Sequence, residues 1–106
     1  MQPAFNHRLL ELTSLPGARL ADAHGLSAMV VAAAGAVGMP TLGPPVVRDG
    51  PGGIVIAMLC REGHIVLHTA PAEGLCVVDI VARAPADVRK GVEVITRRLG
   101  VPAEPG

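Results

Sequence analysis

Between residues 53 and 82 the chain carries three apolar, β-branched runs in close succession: GIVIAML (53–59), HIVLHT (64–69) and LCVVDIVA (75–82). Runs of this length and composition, bounded by turn residues, read as strands. Their connections hold Glu62-Gly63 in one case and Pro71 to Gly74 in the other. Turns this short make an antiparallel meander the simple topology.

The flanking segments add helices to that meander. Residues 7–14 (HRLLELTS) read as a first strand closed by the Leu15-Pro16-Gly17 turn signal. The run 18–37 is Ala-rich and apolar on most faces, which favours a buried helix despite Gly25 and Gly35. Residues 40–51 hold four prolines, so this stretch is a loop or an edge strand around Val46 and Val47, never a central strand. Pro85 is placed at a first helical turn, and residues 86–99 set Val88, Val92, Ile95 and Leu99 on one helix face. Gly100 and Pro102 stop that helix. The expected fold is therefore α+β, an antiparallel sheet with two helices on one face, in a single domain spanning residues 1–106.

Half of the residues are hydrophobic, yet Phe5 is the sole aromatic, so the core must be built from Ala, Val, Leu, Ile and Met. Nine Lys plus Arg balance nine Asp plus Glu, and no stretch interleaves bases with aromatic rings. Nucleic acid is accordingly not an expected partner. The most apolar stretch, 26–39, is interrupted by glycines, ends at Pro40 and is too short to span a bilayer, so no membrane association is expected. Cys60 and Cys76 lack a C-x-x-C spacing and are expected as buried small hydrophobes in a reduced, cytoplasmic setting. Strands rich in Val, Ile and Leu on both faces call for a cover on the side away from the helices. A second copy of the chain is the expected cover, making a homodimer.

Period-two alternation puts His64, Val66 and His68 on one face of their strand, and Ile65, Leu67 and Thr69 on the other. The two imidazoles then stand roughly 13 Å apart along the strand, too far to share one metal ion, and no metal site is expected. The bland alternative for each is a satisfied, partly buried histidine.

The stretch Glu62-Gly63-His64-Ile65-Val66-Leu67-His68-Thr69-Ala70-Pro71, with an apolar strand before it and Gly74 and an Asp79-containing strand after it, resembles the self-cleaving segment of the bacterial S-adenosylmethionine decarboxylases. In that family the motif reads Glu-Ser-His, three strand residues, then His-Thr-Trp-Pro-Glu. The resemblance in element order runs from His7 to Leu99. It implies a sandwich that dimerises through its sheets, and a Glu-Ser bond that cleaves itself to leave a pyruvoyl group, an electron sink for amine substrates.

The chain departs from this pattern where the chemistry is done. Gly63 occupies the position of the attacking serine, so no ester and no pyruvoyl cofactor are expected. A glycine there also accepts positive φ and eases a tight hairpin. The remaining serines, Ser14 and Ser27, form no Glu-Ser pair. By resemblance His68 matches the histidine that assists processing, His64 the one after the cleaved bond, and Glu62 its acid side. Arg83 falls where the family has its proton-donating cysteine, and a guanidinium cannot replace a thiol as donor. Ala70 replaces the motif Trp and Ala72 its Glu, with Glu73 one position on, and the loop before Gly53 offers no Phe or Tyr to stack on adenine. These joint departures favour natural divergence over a single engineered change at Gly63.

The expected site therefore comprises His68, His64, Glu62 and Arg83 as acid-base or electrostatic groups, with Gly63, Glu73 and Asp79 as ligand-binding positions. One function consistent with it is a repurposed enzyme acting, without a cofactor, on an amine- or carboxylate-bearing small molecule. The other is a non-catalytic paralogue that pairs with itself or with an active decarboxylase of polyamine metabolism.

Overall fold

The computed structural model describes residues 2–101. Its elements, in chain order, are β1 (Phe5–Leu12), α1 (Gly17–Leu20), α2 (Ala23–Val37), β2 (Val46–Gly50), β3 (Gly53–Cys60), β4 (Gly63–Ala70), a 3-10 turn (Pro71–Glu73), β5 (Leu75–Arg83) and α3 (Arg89–Arg98). The five strands form one antiparallel sheet in the order β1-β5-β4-β3-β2. The meander expected between residues 53 and 82 is its centre, and β2 is an edge strand.

Burial alternates strictly along β3 and β5, with Ile54, Ile56, Met58 and Cys60 buried on one strand and Cys76, Val78, Ile80 and Ala82 on the other. Ile65, Leu67 and Thr69 of β4 join them. These side chains meet Leu26, Met29, Val30, Ala33 and Ala34 of α2 and Ile95 of α3, forming one core between the sheet and a helical layer. α3 approaches closely at Gly91, where a Cβ would stand 2.9 Å from Val37 Cγ2 and 3.2 Å from Ile80 Cδ1. The expected amphipathic face holds, for Val88, Ile95 and Leu99 are buried.

Thr69 is the buried polar residue of this interface. Its hydroxyl donates to the Leu20 carbonyl at 2.9 Å and accepts from the Ile54 N–H at 3.1 Å, tying α1, β3 and β4 together. Part of the sequence motif is thereby explained by packing.

Four boundaries differ from expectation. The first strand starts at Phe5 and ends at Leu12, and Ser14 turns the chain with φ 59°. The helix expected over 18–37 is two helices, because the Asp22 carboxylate accepts from the Gly25 N–H at 3.0 Å and so caps a new start. Pro85 lies ahead of α3, outside its first turn, and the Asp87 carboxylate takes the Arg89 N–H instead at 3.0 Å. Finally, positive φ in the β3–β4 hairpin belongs to Glu62, at 58°, while Gly63 is already the first residue of β4. Gly100, at φ 77°, follows α3 as expected, and Pro102 lies outside the described residues.

Candidate functional site

The sheet face away from the helices is set by register. Its rows run Arg48, Val55, His68, Val77, Glu11; then Val46, Ala57, Val66, Asp79, Leu9; then Leu59, His64, Val81, His7; and last Arg83 opposite Phe5. The rim and floor are apolar, with Leu9 63%, Leu59 49%, Phe5 43% and Val46 39% exposed.

Near the centre of this face, Asp79 bridges two imidazoles from strands on either side of its own. Its Oδ1 lies 2.5 Å from His7 Nε2 and its Oδ2 lies 3.2 Å from His64 Nε2. Each histidine is diagonal to Asp79 across a strand pair, within reach of such side chains. An ionised carboxylate only accepts, so both Nε2 atoms carry hydrogen and donate. Desolvation pushes the Asp79 carboxyl up. The hydrogen bonds and positive character of His7 and His64 outweigh it, holding the group below the usual carboxylate range.

The other expected site residues are distributed around this centre. His68 is exposed on the same face, between Val55 and Val77, with no side-chain hydrogen bond among the described residues. Arg83 alternates onto that face at the end of β5 and lies over the Phe5 ring, 5.1 Å from its centroid. Such exposed stacking contributes about 0.5–1 kcal/mol and fixes the guanidinium at the sheet end. Glu62 is exposed in the hairpin, and its carbonyl accepts from the Arg83 N–H at 3.1 Å. Glu73 is exposed in the 3-10 turn, at the opposite end of β4 from Glu62. The structure thus joins His64 to Asp79, keeps His68 and Arg83 on their face, and leaves Glu73 apart.

Gly63 faces the other way. A Cβ built on it collides with the Val81 carbonyl oxygen, stands 2.7 Å from Met39 Sδ and lies 3.2 Å from Ala82 Cα. The position carries no hydroxyl, and the neighbouring β5 backbone and a buried methionine leave no room for one.

His7 is the site residue that sequence reasoning missed. Its signal was present in the alternation His7, Leu9, Glu11 along the first strand. Recognising it required knowing that β1 pairs with β5. Among the described residues no group of three or more His, Cys, Asp or Glu is arranged to hold a metal ion. No helix among them is long and apolar enough to cross a membrane.

The fold and site define a two-layer α+β domain whose bare sheet face presents a carboxylate-bridged histidine pair within an apolar surround. A five-stranded antiparallel sheet of this kind matches the solved adenosylmethionine decarboxylase of Aquifex aeolicus VF5 with a TM-score of 0.84 at 17% identity, covering 94% of this chain and 83% of that one. The family model for S-adenosylmethionine decarboxylase matches residues 6–103, and the chain belongs to that family. Among curated proteins, no sequence matches it.

Proposed function

We propose that this chain is a member of the S-adenosylmethionine decarboxylase family that neither cleaves itself nor forms a pyruvoyl group, and that its sheet face handles a small amine- or carboxylate-bearing ligand by acid-base and electrostatic means. The observation that carries this reading is the steric closure at Gly63. The family's cofactor arises from a serine side chain, and here even a Cβ has no space beside Val81, Met39 and Ala82. The residues present do not fit a pyruvoyl group, and no step is assigned to one.

What remains on the open face has its own chemistry. With both Nε2–H groups committed to Asp79, the second ring nitrogens of His7 and His64 serve as proton acceptors when neutral. Asp79 fixes that tautomer and stabilises either ring once protonated, as an orienting carboxylate does beside a catalytic histidine. Arg83, held on Phe5, offers a cation for a ligand carboxylate at the same end of the sheet. A second copy of the chain covering the face would exclude water and strengthen each of these contacts.

A second reading draws on the same apolar rim. Leu9, Leu59, Phe5 and Val46 suit a protein partner as well as a ligand cleft, which supports a non-catalytic paralogue paired with an active decarboxylase.

Two measurements test the primary reading. Intact mass after prolonged incubation is expected to show one uncleaved chain, and two fragments with a pyruvoyl terminus would reject it. Calorimetric titration with S-adenosylmethionine and simple diamines and amino acids is then expected to give a ligand whose binding is lost in His64→Ala and Arg83→Ala. Absence of any ligand, together with capture of an active decarboxylase, would favour the paralogue.

A further inference from the structure

The edge strand β1 borders a second feature. Between β1 and the segment entering α3 lies a cleft of about 420 Å³, whose lining includes Asn6, His7, Arg8, Asp87 and Arg89. The Asn6 side chain donates to the Ala86 carbonyl at 2.8 Å, pinning that segment to β1 and giving the cleft fixed walls.

Its charge is uneven. Arg89 places Nε 3.1 Å from Asp87 Oδ1 and Nη2 3.1 Å from Oδ2, so the only carboxylate of the lining is already neutralised and holds Arg89 in one orientation. Arg8 makes no ion pair with any described residue. Two guanidiniums against one carboxylate leave one net positive charge.

We propose that this cleft binds a small oxyanion, a carboxylate or phosphate group, between Arg8 and Arg89. Guanidinium forks suit such oxygens geometrically. The site lies outside the sheet-face reading above and stands or falls separately from it.

The test is an NMR titration of the full chain with inorganic phosphate, and separately with acetate, at constant ionic strength near pH 6.5. Saturable shifts of the Asn6–Arg8 and Asp87–Arg89 amides by either probe are expected. Arg8→Gln, an exposed change that leaves the fold intact, is expected to weaken binding about tenfold. Linear, unsaturated shifts with both probes, or saturable binding unchanged in Arg8→Gln, would overturn the proposal.

Discussion

Restoring the family's serine at position 63 is expected to unfold part of the protein before it restores any chemistry. The first atom of the new side chain meets the Val81 carbonyl oxygen, Met39 Sδ at 2.7 Å and Ala82 Cα at 3.2 Å. Met39 could swing aside, but Val81 and Ala82 belong to the β5 backbone, whose partner in the ladder is Gly63 itself. Overpacking a tight site costs about 1–3 kcal/mol, and backbone that cannot yield puts Gly63→Ser at the upper end, about 2–3 kcal/mol. For a domain of this size each kcal/mol lowers Tm by about 4–8 °C, so a fall of roughly 10–20 °C is expected in a calorimetric or circular-dichroism melt. Gly63→Ala carries the same Cβ without the hydroxyl and is expected to fall nearly as far. Intact mass should show both variants uncleaved. A Gly63→Ser protein that melts within about 2 °C of the parent, or that splits into two fragments with a pyruvoyl group at position 63, would refute the steric argument.

Asp79→Asn is expected to flatten the acid limb of the stability-pH curve. The folded carboxyl is held below its ordinary value, so its stabilisation is complete above about pH 4 and is lost as pH falls through the lowered folded value. An equally steep acid limb in the variant would place the acid sensitivity elsewhere. Burial pushes the Cys76 thiol up to about 11, so at pH 8 a thiol reagent should label it only on unfolding, as read by mass under native and denaturing conditions. Thr69→Val leaves the buried Ile54 N–H without its acceptor and should cost about 1–3 kcal/mol in a urea melt. Leu59→Asp places a charge on the exposed sheet face, and sedimentation analysis should show self-association weakened if that face pairs with a second copy.

The sheet was legible because its signals are local. Three short apolar runs with two tight connections leave little freedom, and alternation alone separated Ile65, Leu67 and Thr69 from the face of His64 and His68. The helix starts were obscured by stronger neighbours in sequence. Ala18 to Ala21 continue the Ala-rich pattern into α2, hiding that Asp22 caps a separate helix. Pro85 looked like a first-turn residue, while the Asp87 carboxylate, two positions on, accepts from the Arg89 N–H at the helix start. For the site, alternation sufficed to put His64 and His68 on one face. It could not show that Asp79 meets His64, which depends on the β4–β5 register that sets Val66 opposite Asp79. Nor could it show His7, which reaches Asp79 only because the first strand crosses to the edge beside the last. The crowding at Gly63 was equally silent, since it comes from β5 backbone and from Met39.

Adjacent residues 63 and 64 face opposite layers, and this separates two questions that the sequence motif joins. The missing side chain at Gly63 points toward Met39 in the helical layer, whereas His64 points onto the open face toward Asp79. The polar cluster, moreover, is complete without any nucleophile. Asp79 receives both histidine donors, and no buried side-chain nitrogen or oxygen among the described residues lacks a partner. This cluster joins His7 and His64 through Asp79 on the open face. Its chemistry is therefore to be sought on the open face and along β1, away from the hairpin where the family cleaves its chain.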